Sequence, residues 1–546
     1  MHSVCLFGKS ANCCTGCVTC RSARIKCDET QPHCKQCHRR GVKCGGYQVK
    51  LKWVEIFDVS PDNQATGKSV IKPRSSLAIC SSSKHSKQTQ SKETDLSTSI
   101  IRNPSTGPRL HSSSDTFVFS HWAQSLPDLV YPNPEEYISI REPYLAFVWQ
   151  EDSILLPAAL ASGASHLYAL GILSQADVLE RKQRALSKII SCVQQKKLLS
   201  ESPNTKDIPM YISEEAIAAS LALIGLEVMQ GSDTALIRPL IRGMRAQLEE
   251  RQRLLKEMDQ SLLHHKPTPM MSVNIKMMAY MDALSCVPCA RKPVLDRQFW
   301  RETVLIHFNK SPKGSPDVVF GYTADILPLI GDSASLVNDF LSGAIEPEAF
   351  SLSRCCLFQE LTLCCRDLPA ATQQPCSEGD TNESPESCKI RNSNACIAAA
   401  LAHGLATQIF LLRADDGDSN KKTNDFLGHP LALVEQLSNA ISAVPHDTYA
   451  STMMIWPMFV LGCETMPSSS RRHTVELMFE KMIEKHRLLN ISVALELLRN
   501  KLWKIGDTQK MGSSEEDVSL PSWSCQYSSS DWVRACWREK LQLCTA

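Results

Sequence analysis

The sequence predicts three parts in series: a small module organised by cysteines at residues 17–44, a disordered linker, and a large all-α domain over residues 116–546. Three observations carry this reading. Six cysteines between Cys17 and Cys44 are set in a stretch with hardly an apolar side chain, so the module cannot fold on oil. From about Ser60 to Ser114 the chain is Ser, Thr, Lys, Gln, Asn and Pro with few aromatics, too little buriable surface to offset chain entropy. From Phe117 onward alanine, leucine and isoleucine mix with helix formers for more than 400 residues, ample length for a core. Residues 1–16 read as a disordered tail, and residues 45–115 as a basic exit segment running into the linker.

The module is an internal repeat. Cys17, Cys20 and Cys27 follow C-x2-C-x6-C; Cys34, Cys37 and Cys44 repeat it, each cysteine displaced by 17 positions. Between the thiols Ile25 lies over Val42 and Lys26 over Lys43, so each half reads as a short helical turn hung between cysteines. Cys14 offers a competing C-x2-C with Cys17. Using it would break the repeat, which leaves Cys5, Cys13 and Cys14 as bystanders.

Disulfides are the alternative use of six cysteines, with fifteen possible pairings. Residues 1–20 lack the apolar core of a signal peptide, and the other 18 of the 24 cysteines are scattered singly or as neighbours, a pattern of reduced thiols in a cytosolic or nuclear compartment. Reduced C-x2-C pairs read as metal ligands, with tetrahedral zinc the default for soft thiolates. One zinc would strand two thiolates, whereas two zinc ions need eight positions from six thiolates. Two cysteines must therefore bridge, at equivalent positions in the two halves; the repeat does not say which.

Between residues 17 and 52 Arg21, Arg24, Lys26, Lys35, Arg39, Arg40, Lys43, Lys50 and Lys52 stand against Asp28 and Glu29. With six thiolates and two zinc ions included, the module keeps about five positive charges. The whole chain is only +1, so the remainder is slightly acidic. A compact cation on such a body suggests a reader of nucleic acid, since phosphates supply the sequence-independent part of such affinity; the bland alternative is a structural zinc knuckle with a solvated basic face.

The cysteine pattern resembles that of the fungal zinc binuclear cluster (Zn2Cys6) transcription factors, which Cys17, Cys20, Cys27, Cys34, Cys37 and Cys44 meet without a gap. The resemblance implies two Zn2+ ions, with Cys17 and Cys34 bridging, Cys20 and Cys27 completing one zinc, and Cys37 and Cys44 the other. It also implies a nuclear protein, not an enzyme, that reads CGG-like triplets in the major groove of double-stranded DNA at RNA polymerase II genes. Gln31-Pro32-His33-Cys34 is similar to the family's proline-bearing loop. Arg24 lies where the family places its base-reading cation, while Arg21, Lys26 and Lys43 would touch phosphates. Ser22 and Ala23 depart from the commonest pattern, in which more basic residues occur. Gly45-Gly46-Tyr47 and Lys50-Leu51-Lys52-Trp53 resemble the exit segment of the branch that includes acriflavine-sensitivity-control type regulators.

The linker shows no run of a/d heptads, so a homodimer is expected to form through the helical domain instead. That domain should contain helices at Ile154–Val193, Glu214–Met229, Leu236–Leu263, Ala395–Leu412, Leu431–Val444 and Thr474–Trp503, arranged as a stack of helix pairs. Phosphate loops, alternating strands and βαβ order are absent. Its segments Leu155-Leu156-Pro157-Ala158-Ala159-Leu160, Asp317-Val318-Val319-Phe320-Gly321-Tyr322 and Trp456-Pro457-Met458-Phe459-Val460-Leu461-Gly462-Cys463-Glu464 resemble the fungal-specific transcription factor domain. That resemblance implies a regulatory domain open to a small-molecule effector, which the sequence does not name, and to the transcription machinery. The acidic stretches Glu378–Glu386 and Glu515–Asp517 could recruit such partners or be solvated loops.

Ile154–Leu173 and Asn394–Leu412 each run about 20 residues without a formal charge, long enough to span a bilayer. Interrupting Pro157, Gly163, His166, His403 and Gln408, with no aromatic belt, predict core helices and no membrane. Cys286-Val287-Pro288-Cys289 is a lone C-x2-C outside a βαβ context, His264-His265 a solvated helix end, and Cys355-Cys356 with Cys364-Cys365 buried helix positions. The competing function is a zinc-stabilised interaction or small-molecule-sensing protein whose finger binds protein or RNA.

Overall fold

The structure is a computed structural model, and it describes residues 17–44 except 18, 21–22, 24, 29 and 31–32, and then residues 110, 112–127, 131, 134–199, 208–258, 268–307, 315–372, 385–414, 430–465, 469–504 and 532–546 except 542. The tail, most of the linker, His264-His265 and the acidic stretch Glu515–Asp517 lie outside the described residues, as does Glu378–Glu386 apart from its last two positions. The chain forms two compact units, residues 1–91 and 92–546.

In the first unit the fully buried side chains are Cys17, Cys20, Cys34 and Cys37, with Ile25, Cys27 and Cys44 packed partly buried around them. The core is sulfur. One short helix, α1 (Lys35–Arg39), follows Cys34, whose side chain accepts from the Cys37 amide at the helix start. In the other half Ala23 N–H donates to Thr19 O at 3.1 Å, a helical turn matched 17 positions on by Arg40 N–H to Gln36 O at 3.3 Å.

The second unit is helical throughout, and among the described residues its only extended pairing is the isolated bridge Asp317–Gly321. It opens with α2 (Ser113–Ser125), α3 (Pro134–Val148), α4 (Leu155–Ala169) and α5 (Gln175–Leu199), followed by α6 (Glu214–Met229), α7 (Thr234–Met258) and α8 (Pro269–Cys286). The second half comprises α9 (Leu327–Leu341), α10 (Pro347–Arg366), α11 (Pro385–Arg413), α12 (Pro430–Ser442), α13 (Ile455–Cys463), α14 (Ser470–His486), α15 (Leu489–Leu497) and α16 (Trp532–Arg538). Four starts are set by side-chain caps: Ser112, Ser213, Thr268 and Ser469 each accept an amide N–H three residues on. Hence the first helix begins inside the segment read as linker. There Asp115, buried, pairs with Arg181 of α5 at 2.8 Å.

Glu214–Met229 coincides with its predicted span, but two predicted long helices are each broken. Ile154–Val193 splits into α4 and α5 at a turn whose Gly171 has φ +72°, a left-handed conformation that an L side chain resists. Thr474–Trp503 splits into α14 and α15 at Arg487, itself left-handed at φ +53°. Sequence neighbours pack as pairs, α4 on α5, α6 on α7, α11 on α12, as a stack of pairs requires. However, α11 also packs on α9, α10 and α13, which draws the second half around one central helix.

That helix explains one membrane-like segment: Glu386–Arg413 is long and apolar enough to cross a bilayer, but 78% of its apolar window is buried against neighbours. The other such segment is α4, whose 15 residues are mostly buried. The four cysteines of α10 correct the prediction that they are buried. The buried stripe is Phe350, Arg354, Phe358 and Leu361, at helical spacing, which turns Cys356 to solvent and leaves Cys355, Cys364 and Cys365 half-buried on its flanks.

Candidate metal centre and nucleic-acid interface

The repeat seen in the sequence becomes a two-fold hydrogen-bond pattern around sulfur. Cys17 N–H points at Cys27 Sγ (3.4 Å) and Cys34 N–H at Cys44 Sγ (3.5 Å), while Cys20 N–H meets Cys17 Sγ (3.3 Å) and Cys37 N–H meets Cys34 Sγ (3.2 Å). Ile25 N–H to Cys20 O and Val42 N–H to Cys37 O form a third such pair. Every partner is displaced by 17. Amide dipoles aimed at sulfur favour the thiolate form that a metal needs.

The sulfurs converge across the halves: Cys17 Sγ lies 3.6 Å from both Cys34 and Cys37 Sγ, and Cys20 Sγ 3.7 Å from Cys34 Sγ. None of the six thiols is in a disulfide. Two sets of four have their sulfurs within 4.8 Å of one another, Cys17-Cys20-Cys27-Cys34 and Cys17-Cys34-Cys37-Cys44. Cys17 and Cys34 are common to both. Burial pushes the Cys17 and Cys34 thiols up and Cys20 up to about 12, so a metal ion must displace their protons to bind.

Two residues that sequence reasoning passed over tie the halves together. Asp28, counted there only as a stray acid, receives the amides of Thr30 (3.1 Å) and Lys35 (3.0 Å) on Oδ1 and that of Gln36 on Oδ2, so the first half caps α1 of the second. Hydrogen bonds, first from Thr30, hold its carboxyl well below the usual carboxylate range. Thr19 Oγ1 donates to Lys43 O at 3.1 Å. An acid two residues before a Thr and seven before a cysteine-flanked turn was the available signal.

Lys26, Lys35, Arg39, Arg40 and Lys43 are exposed, and no described carboxylate pairs with any of them. Lys26 and Lys43 occupy equivalent positions of the repeat. Arg21 and Arg24 lie outside the described residues. The lone pair Cys286 and Cys289 is buried at the end of α8, apart from any metal-competent group among the described residues, and burial pushes Cys289 up to about 11 and Cys286 well above a free thiol.

Residues 117–546 match the fungal specific transcription factor domain, and residues 15–54 the fungal Zn(2)-Cys(6) binuclear cluster domain. The chain belongs to this family of fungal zinc cluster transcription factors. Such a cluster binds two zinc ions, and the donor set here fits that demand, six free thiols forming two overlapping sets of four. The family is one of regulators, not enzymes.

Similar proteins include arginine metabolism regulation protein II of Saccharomyces cerevisiae, 45% identical over 47 residues, 9% of this chain and 5% of that one. The aspercryptin biosynthesis cluster-specific transcription regulator of Emericella nidulans is 55% identical over 40 residues, 7% of this chain and 6% of that one. The pestheic acid cluster transcriptional regulator 3 of Pestalotiopsis fici is 28% identical over 158 residues, 26% of this chain and 24% of that one. This chain thus spans a quarter or less of each of these relatives' lengths. No solved structure matches.

Proposed function

We propose that this chain is a nuclear DNA-binding transcription regulator whose two zinc ions share Cys17 and Cys34, with Cys20 and Cys27 completing one site and Cys37 and Cys44 the other. The observation that carries the proposal is the pair of overlapping thiol sets beside five exposed cations that no described carboxylate pairs with. Zinc supplies the charge and cross-links that let so small a module hold shape, and the cations supply the sequence-independent attraction to phosphate.

In this reading Arg24 reads guanine in CGG-like triplets through a bidentate contact, and Arg21, Lys26 and Lys43 set orientation on phosphates. A triplet has too few contacts to mark a genomic site, so the full chain pairs through its helical domain and binds two triplets. The targets are RNA polymerase II genes of a biosynthetic set, a reading supported by the cluster-specific regulators among the similar proteins.

The test is binding of the full chain to duplexes carrying CGG or single-base variants. Arg24→Ala should erase discrimination worth roughly 1–3 kcal/mol per base pair, while Lys43→Ala weakens all duplexes alike and lowers the salt slope by about one. Equal loss on cognate and scrambled duplexes with Arg24→Ala would overturn the base-reading role.

A further inference from the structure

The second unit contains a cavity of about 140 Å³ between α2, α4, α6 and α8. Its wall is mostly apolar and soft: Met229, Met277, Met281 and Met453 line it together with Trp122 and other aromatic residues, and none of the lining side chains carries a charge. An apolar cavity of about 150 Å³ is the size that takes up benzene. Methionine adapts to a ring and gains from sulfur–aromatic contact. An ion would lose its hydration here with no charged side chain on the wall to replace it.

Two hydroxyls set this cavity apart from a packing flaw. Tyr280 of α8 and Ser162 of α4 line it at 8% and 5% exposure, and among the described residues neither hydroxyl has a hydrogen-bond partner. Three other polar groups on the wall have protein partners: Thr452 donates to Tyr449 O (2.9 Å), Asn490 to Ala546 O (2.7 Å) and Tyr144 to Asn274 Oδ1 (2.6 Å). Both hydroxyls can therefore exchange a hydrogen bond with a polar group on a bound molecule.

We infer that this cavity is a binding site for a small uncharged aromatic molecule bearing a hydroxyl group, its ring among the methionines and its hydroxyl on Tyr280 or Ser162. The site lies wholly within the helical unit, and its occupancy is read without DNA, so the result stands apart from the base-reading test.

Ligand-detected NMR titration of the full, zinc-loaded chain with phenol, benzene and benzoate tests it. Phenol should saturate one site per chain, benzene should bind about 3- to 10-fold more weakly, and benzoate should not compete. Tyr280→Phe should bring phenol down toward benzene, and Ala222→Phe, which pushes a ring into the space from α6, should abolish binding while leaving a cooperative thermal transition. Tyr280→Phe keeps the ring and so reports on the hydroxyl even if Ala222→Phe fails to fold. Absence of saturable phenol binding, benzoate competing as well as phenol, or phenol binding unchanged in Ala222→Phe would each overturn the assignment.

Discussion

The two units owe their order to different physics. Among the described residues of the thiol module the completely buried side chains are four cysteines, and Ile25 is the one aliphatic residue packed beside them. In the helical unit Trp456, Phe320, Phe410, Phe459 and Phe479 are completely buried, and Trp456 meets Phe410 edge-on at 5.8 Å. Burying one such ring is worth several kcal/mol, so the helical unit needs nothing but its own chain. The module has no comparable term and must draw its stability from metal.

The largest expected effect follows from that contrast. Stripping zinc from the full chain should remove on the order of 10 kcal/mol from the module and almost nothing from the helical unit. Hydrogen exchange followed by peptide should show protection lost across residues 17–44, with the melting temperature of the helical unit unmoved. Retained protection in the module, or a fall of the main transition by many degrees, would break the comparison.

A smaller effect sharpens it from the other side. Asp282, buried in α8, accepts the amides of Val294 (3.1 Å) and Leu295 (2.7 Å), yet burial outweighs these bonds and raises its carboxyl to about 6. Because the folded state holds this proton more tightly than the unfolded one, the stability it contributes is complete below about pH 4. It is lost as pH rises to about 6, by on the order of 2–3 kcal/mol. Urea denaturation of Asp282→Asn should lack this decline, and zinc content should not change. A variant with the same pH slope as the natural chain would show that another group titrates.

The module was legible because its information is local: six ligands lie within 28 residues, and a displacement of 17 already encodes which hydrogen bonds and sulfurs are equivalent. The repeat alone left open which pair is shared, while the family resemblance named Cys17 and Cys34, and distances in space put those two in both sets of four sulfurs. Asp28 was not legible as a cap because its partners, Lys35 and Gln36, belong to the other half of the repeat. In the helical unit Glu214–Met229 was readable from its Ser213 cap and apolar run. By contrast, α8 was missed because it is buried all round and so shows no amphipathic stripe. Breaks at Gly171 and Arg487 depend on single residues turning left-handed, which periodicity does not register. The methionine-walled cavity draws on helices far apart in sequence, so no window of the chain contains it.

Native mass spectrometry of the full chain, with Cys17→Ser and Cys44→Ser beside it, tests the central claim most directly. Two zinc ions per chain are predicted. Cys44→Ser should still retain at least one, because Cys17, Cys20, Cys27 and Cys34 remain a complete set, whereas Cys17→Ser removes a ligand common to both sets and should empty both. One zinc in the natural chain, or equal retention by the two variants, would contradict a cluster built on shared thiolates.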